Sequence, residues 1–551
     1  MRATLLIALL SVLFSGAFCV NWEWAVATGS GNMDRVWDMA LDPLGNIYVT
    51  GEFVDTLQVG NIVIPGWGLS DIFVAKYTSN GVPVWAKAFG GTEGDVGISI
   101  DADAAGNCYI TGLIAGSVNF EDEVLTSNGG WDAFILKLDT NGNKVWAHTA
   151  GGIEGDLGYG IATLPDGRCF VTGWFGNTIH FHDNTTLTSM GGSDVLIFAC
   201  DTDGNLLWKR RAGGTAVEYG YKIAVDHYGN SYVTGSAGAG SDFSGLVLNG
   251  SGAYIVSYDV NGNVRWLNLG ANAGVISIAV DRTQSMIEQM GCITGRVTGS
   301  ATFGDVVLNT IEGSDDAYEA VFQHLTGQWI SVEMGGGTGS DKGKACTFHN
   351  HPYYTGSFES TANLFGYDVT SMGAGDMYVH SDGFGIQNWL LTAGGINNIV
   401  PVDLAVDADG NVFVCGWFSG IMRFGSNLLI DSGDDSDLDM FLAKINVATS
   451  SDDFVAPVNA GEIRAYPNPF RDRISLEIND IKPKNSHTEW LSVYNVKGEK
   501  VSTLPLTRKD VNILQTEWNG LTEQGLRCPA GVYFIKANGA EGKATKVLLL
   551  N

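Results

Sequence analysis

Four carboxylates hold one place in a repeating pattern. Asp34, Asp95, Asp156 and Glu218 each stand 17 residues before the glycine of a Thr-Gly pair. Carboxylates brought together suit hard cations, which take several oxygen ligands, so loops that converge on a channel mouth would form an acidic rim for calcium or a cationic ligand. The competing expectation is that each carboxylate caps its own turn or accepts a backbone N–H from a neighbouring unit. Two further patterns have metal-like spacing. His180-Phe181-His182 puts two imidazoles on one face of a strand, and His349-Asn350-His351 has the same spacing, but no third ligand has a sequence position that demands pairing with either. Turns such as Asp201-Thr202-Asp203-Gly204-Asn205 and Asp407-Ala408-Asp409-Gly410-Asn411 superficially resemble calcium loops but lack their further acidic ligands, and Asp, Asn and Gly are what hairpin turns require. The cluster Asp431, Asp434, Asp435, Asp437 and Asp439 reads as a solvated loop. No Ser/His/Asp or Cys/His set is signposted, so the sequence assigns no catalytic, cofactor or metal residues.

The elements that position these groups repeat. Thr50-Gly51, Thr111-Gly112, Thr172-Gly173, Thr234-Gly235, Thr294-Gly295, Thr355-Gly356 and Cys415-Gly416 place glycines 61, 61, 62, 60, 61 and 60 residues apart. Trp24, Trp85, Trp146, Trp208, Trp266, Trp329 and Trp389 keep the same beat, and their fixed place predicts packing between units rather than ligand stacking. The second unit reads as four strands: an apolar run near Ile98 to Asp103, then Cys108 to Gly112, Asp132 to Leu138, and Lys144 to His148 after the hairpin Asp139-Thr140-Asn141-Gly142-Asn143. Seven such units without helical periodicity predict an all-β, seven-bladed propeller of four-stranded blades. The first tryptophan strand, Trp22 to Val26, has no three strands before it, and the last unit ends at Met440 to Lys444 without a tryptophan strand. The amino-terminal strand is therefore expected to complete blade seven and remove an open edge.

Composition narrows the partners. A net charge of −29 repels phosphate backbones and excludes nucleic acid as a sensible partner. Arg2, an apolar run from Ala3 to Phe14 and small residues at Ser15 to Ala17 read as a secretory signal peptide, with cleavage expected after Ala17 or Cys19. Phe18 before Cys19 disfavours a lipid anchor, and no later run suits a membrane helix. The remaining cysteines show no paired spacing and read as small buried hydrophobes.

Asp226-His227-Tyr228-Gly229-Asn230-Ser231-Tyr232-Val233-Thr234-Gly235, with Trp208 and Gly213-Gly214 before it, resembles the SBBP beta-propeller repeat of secreted bacterial proteins. Ala465-Tyr466-Pro467-Asn468-Pro469-Phe470, the run Leu491 to Val501, and Pro529 to Lys536 resemble the type A C-terminal sorting domain of the type IX (Por) secretion system. That resemblance implies a small immunoglobulin-like sandwich that takes its cargo across the outer membrane. The expected organisation is a signal peptide over 1–19, the propeller over 20–448, a linker over 449–462 and the sorting domain over 463–551. Leu138 to Trp146 is similar to the tryptophan-docking motif of quinoprotein propellers, but the vicinal cysteines often found there are missing. The same turns loosely resemble the Asp-box of sialidases, with the wrong Asp-to-Gly spacing. The expected function is a non-catalytic binding module outside an outer-membrane-bearing cell, partnered by the type IX machinery and by an extracellular protein or glycan. The alternative is a hydrolase or lyase using channel-facing carboxylates.

Overall fold

The computed structural model describes residues 19–448, apart from 283–288, 312–313, 384–387 and 431–437. Beyond these it describes 463–466, 473–479, 490–495, 497, 500–510, 513–523, 526–529, 531–537 and 545–549. The signal-peptide run, the expected linker, and Asp431, Asp434, Asp435 and Asp437 of the acidic cluster lie outside the described residues. Chain contacts divide the protein into Val20–Val447 and a second unit that includes Ala448–Asn551. The regular structure among the described residues is strand alone.

In the first unit the strands pair as seven antiparallel sets of four. The first set runs Arg35–Leu41, Ile47–Phe53, Asp71–Tyr77, Pro83–Phe89. The last runs Ile399–Val406, Val412–Phe418, Asp439–Ala448 and then Cys19–Thr28, so the amino-terminal strand supplies the outer edge of the final blade. The innermost strands touch in sequence around a ring, and Arg35–Leu41 meets Ile399–Val406 to close it. One core cluster joins Val49, Phe73 and Ala75 of the first blade to Phe413, Met440 and Leu442 of the last. Both faces of each sheet are covered in this way, which is why Asp71–Tyr77 is buried along its whole length and does not alternate.

The tryptophan beat has a direct structural cause. Trp85 Nε1 donates to Thr140 O at 3.1 Å, Trp146 to Thr202 O at 3.1 Å, Trp208 to Val260 O at 2.9 Å and Trp266 to His324 O at 3.1 Å. Each acceptor lies in the hairpin turn of the following blade. Gly142 in the first of these turns has φ +80°, and a Cβ there would stand 2.9 Å from the Trp85 ring. Glycine is thus required twice over, for the left-handed backbone and for the indole resting on it. The Thr-Gly beat is equally specific. Thr50 Oγ1 donates to Phe73 O at 2.9 Å and Thr111 Oγ1 to Phe134 O at 2.7 Å, pinning second strand to third, and four later threonines repeat the bond. A Cβ on Gly51 would lie 1.9 Å from Arg35 O.

Two features were not legible in advance. Every innermost strand carries a register shift at the same place, leaving Trp37, Ile98, Tyr159, Tyr221, Ile276, Lys344 and Val402 as the extra residues of seven bulges. Cys169 and Cys200 also stand opposite each other in register; both are free and buried, like Cys108, Cys292, Cys346, Cys415 and Cys528.

The second unit contains two four-stranded antiparallel sheets. One orders Ile463–Tyr466, Ile474–Asn479, Ile513–Trp518 and Thr507–Asp510; the other orders Lys500–Pro505, Trp490–Asn495, Gly531–Ala537 and Thr545–Leu549. Leu476, Leu491, Val493, Trp518, Ile535 and Val547 pack together as its core, giving the small sandwich expected of the sorting domain.

Deleting residues 20–28 removes the outer strand of the last blade and leaves Asp439–Ala448 as a bare edge. Thermal melting should show a lower midpoint and light scattering should show aggregation; an unchanged melt would contradict the closure. Gly142→Ala should cost about 1–3 kcal/mol in urea unfolding, from the strained φ and the displaced indole.

Candidate functional site

The four repeated carboxylates are fully buried. Asp95 accepts from Gly91 N at 2.9 Å and Ala115 N at 2.8 Å, and Asp156 from Gly152 N at 2.7 Å and Gly176 N at 3.2 Å. Glu218 accepts from Gly214 N at 3.0 Å and Ser241 Oγ at 3.0 Å, and Asp34 from Ser30 Oγ at 3.2 Å. Each side chain therefore closes the loop that leads into its own blade. The backbone completes the joint, since Asp95 N donates to Ser70 O at 2.9 Å and Glu218 N to Ser193 O at 2.9 Å, both on the preceding blade. The expected cation rim of Asp34, Asp95, Asp156 and Glu218 is replaced by four separate junctions. Backbone donors claim these carboxylates because a loop crossing between blades has no ladder of its own to satisfy its N–H groups.

Asp341 plays the same part, accepting from Gly337 N at 2.7 Å and Glu359 N at 3.1 Å. Its distance from the following Thr-Gly pair differs, which hides it from that count. The marker that finds it is a Gly-Gly pair whose second glycine lies four residues ahead of the carboxylate, as in Gly90-Gly91 before Asp95 and Gly336-Gly337 before Asp341. The first glycine of each pair packs on another acid, and a Cβ at Gly90 would lie 1.7 Å from Asp71 Oδ1. Burial pushes the carboxyls of Asp34, Asp95 and Asp156 up to about 7, with the charges of Asp439, Asp71 and Asp132 adding to it. Burial pushes Asp341 up to about 6.

The other candidates are equally occupied. Asp201 Oδ1 accepts from Asp203 N and Asn205 N and its Oδ2 from Asn205 Nδ2, so the Asp-rich turn consumes its own carboxylate. Asp407 repeats the arrangement. His182 stacks on His148 at 4.0 Å rather than joining His180 around an ion, and burial keeps His148 down to about 4. His351 stacks on Tyr353 at 4.5 Å. Among the described residues no group of three or more His, Cys, Asp or Glu is placed to hold a metal ion.

The channel is crossed near the bulges. Lys222 Nζ from the fourth blade meets Asp38 Oδ1 of the first at 2.5 Å, and Asp38 Oδ2 also accepts from Ile100 N at 2.9 Å. Asp403 of the last blade accepts from Met39 N at 3.2 Å; burial and the Asp38 charge push its carboxyl well up. A cavity of about 310 Å3, lined by residues of all seven innermost strands, borders this crossing and includes Lys222, Asp38, Asp403 and His349.

A larger groove, of about 710 Å3, lies on the face of the interblade loops, between blades two and three. Trp131, Glu154, Trp174, Asn177, Ser189 and Met190 line it. Trp174 continues into an aromatic arc at the channel mouth: Tyr219 lies 5.7 Å from it, Tyr221 6.0 Å from Tyr219, and Tyr159 5.5 Å from Tyr221.

Residues 464–551 match the family described as the secretion system C-terminal sorting domain, and residues 207–243 match the beta-propeller repeat, SBBP. The chain carries an SBBP propeller repeat and a type IX sorting domain. That sorting domain marks the protein for export by the type IX system to the surface or surroundings of a Gram-negative cell, and makes the type IX machinery its partner. No helix among the described residues is long and apolar enough to cross a membrane. The protein is also similar to an uncharacterized WD repeat-containing protein of Acanthamoeba polyphaga mimivirus, at 26% identity over 30% of this chain. A second relative is the regulatory protein FlaEY of Caulobacter vibrioides, at 26% identity over 29%. The chain spans only 14% and 17% of those relatives' lengths. Among solved structures, Sqt1 of Chaetomium thermophilum aligns at 11% identity with TM-score 0.37, covering 77% of this chain and 90% of that one. A quinohemoprotein alcohol dehydrogenase of Pseudomonas putida aligns at 10% with TM-score 0.32, covering 93% and 78%.

The buried junctions make stability depend on pH. In the unfolded chain these carboxyls release protons near pH ~4, whereas Asp34, Asp95 and Asp156 hold theirs to about 7 in the fold. Folding takes up protons, so their contribution is fully present below the unfolded value and is lost as pH rises through 7. Shifts of this size set an upper bound of roughly 4 kcal/mol per group. Urea midpoints should be higher at about pH 5.5 than at about pH 8, and the triple variant Asp34→Asn, Asp95→Asn, Asp156→Asn should flatten that slope. A midpoint that instead rises with pH would contradict the assignment.

Proposed function

We propose that the propeller is a non-catalytic binding module, presented or released outside the cell after type IX export, and that its ligand is an extracellular protein or glycan. The observation that carries this reading is the use of Asp34, Asp95, Asp156 and Glu218 to close interblade loops, which leaves them no solvent face for acid–base work. The rival reading, a hydrolase or lyase working from the channel, would have to employ Asp38 and Asp403. These are already engaged by Lys222 Nζ and by backbone N–H groups of Ile100 and Met39. A paired general acid and base needs one carboxyl free to meet substrate, and these contacts support the non-catalytic reading instead.

The exported protein should retain ligand on a binding array of glycans and proteins without altering it, as followed by product mass analysis. Asp38→Asn and Asp403→Asn should then leave retention unchanged. A turnover lost with either substitution would favour the enzyme.

A chain ended at Ala448 should cross the inner membrane and accumulate in the periplasm. Fractionation of expressing cells tests this; normal amounts of the shortened chain at the surface or in the medium would contradict the role of residues 464–551.

A further inference from the structure

The repeat separates residues that the fold needs from residues that it does not. A type that recurs in every blade, such as the docked tryptophan, is explained by packing. Trp131 is different. It occupies the position that Ser70, Ser193, Ser251, Asp315, Gly375 and Leu438 hold in the other blades, so no common architectural demand calls for an indole there. It is 52% exposed, an unusual setting for so large an apolar ring. Trp174 likewise takes a place filled elsewhere by Glu52, Leu113, Ser236, Arg296, Ser357 and Trp417.

These two indoles meet at one point. Gly155 lies between them, and a Cβ there would stand 3.5 Å from Trp174 and 3.7 Å from Trp131. The groove they border also presents the Glu154 carboxylate, the Asn177 amide and the Ser189 hydroxyl. Flat aromatic faces beside a few polar groups suit a ligand with apolar C–H faces and equatorial hydroxyls. A lipid would want an apolar lining throughout. An extended peptide that adds a strand would want a regular free sheet edge, and residues 189–192, which line the groove, fall in the register break of Thr186–Cys200 and offer no continuous ladder. The net charge of −29, with Glu154 inside the groove, disfavours a polyanion.

We propose that the groove between blades two and three binds a neutral glycan, with Trp131 and Trp174 as stacking platforms and Glu154 and Asn177 as hydrogen-bonding partners for its hydroxyls. This rests on the binding-module reading and supplies its ligand class. The groove's volume of about 710 Å3, and the Tyr219 and Tyr221 rings that follow Trp174 beyond it, fit several sugar rings rather than one.

Affinity electrophoresis of the full exported protein tests the assignment. The gels would carry a soluble β-1,3-glucan, a galactomannan or an α-1,4-glucan, with alginate as the acidic control. At least one neutral polysaccharide should retard the protein. Trp131→Ala should weaken that retardation at least tenfold with an unchanged melting temperature, because the ring is half exposed, while Trp131→Phe should restore part of it. Trp174→Ala should weaken it as well; if loss of the Tyr219 contact unfolds that variant, Trp131→Ala still decides the matter. Retardation by alginate alone, by none of the polysaccharides, or equally in Trp131→Ala and the parent would overturn the proposal. Depolymerisation of a retained glycan would overturn the non-catalytic reading and leave the groove assigned.

Discussion

The docking of one blade's indole onto the next blade's glycine turn is the contact that recurs around most of the ring, from Trp24 on Gly81 to Trp266 on Gly327. A four-stranded sheet this small cannot cover its own faces, and its stability comes from its neighbours. The indole supplies a large apolar face and one N–H, and the turn offers a bare glycine for the face and a carbonyl for the N–H, as between Trp85, Gly142 and Thr140. The turn geometry is itself fixed by an aspartate, since Asp139 Oδ1 accepts from Asn141 N and Asn143 N at 2.9 Å each. Sequence, turn, packing and ring are therefore links of one chain. The amino-terminal strand ties the last blade to both neighbours: its Trp24 ring rests on Gly81 of the first blade, and its Trp22 Nε1 donates to Thr392 O at 3.0 Å on the sixth.

The carboxylates show how a repeat misleads when it is read for chemistry. Equivalent positions in successive blades look like a designed ring, yet equivalence by rotation also means that each position repeats the same local job. Here that job is to satisfy loop N–H groups where two blades meet, with the Gly-Gly pair letting the backbones and a second buried acid approach closely. Residues that break the repeat carry more information about recognition than residues that keep it.

Much of the architecture was legible because glycine, tryptophan and Asx turns leave unambiguous marks at a fixed period. The Thr-Gly pair, the hairpins and the complementary strand deficits at the two ends all appear in the structure as read. What escaped was information held in register. The seven bulges have no single residue type, ranging from Gly-Ile-Ser at Gly97 to Ser99 to Pro-Val-Asp at Pro401 to Asp403, so no pattern announces them. Cys169 and Cys200 become neighbours only when their strands align. Asp341 stands off the spacing that the other four keep from their Thr-Gly pairs, and only its place four residues after Gly337, whose N–H it accepts, marks it. Trp131 lies off the period kept by the recurring tryptophans, so the repeat does not mark it.

The most direct test of a closed ring of docked blades is amide hydrogen exchange of the intact protein, followed for the strand Cys19–Thr28 against its partner Asp439–Ala448. A strand that completes a blade opens only when the ring does, so its paired amides should exchange with the protection seen in Lys144–Gly151 and Leu206–Ala212, the outer strands of blades two and three. Exchange within seconds across Cys19–Thr28, with the other outer strands still protected, would contradict the account.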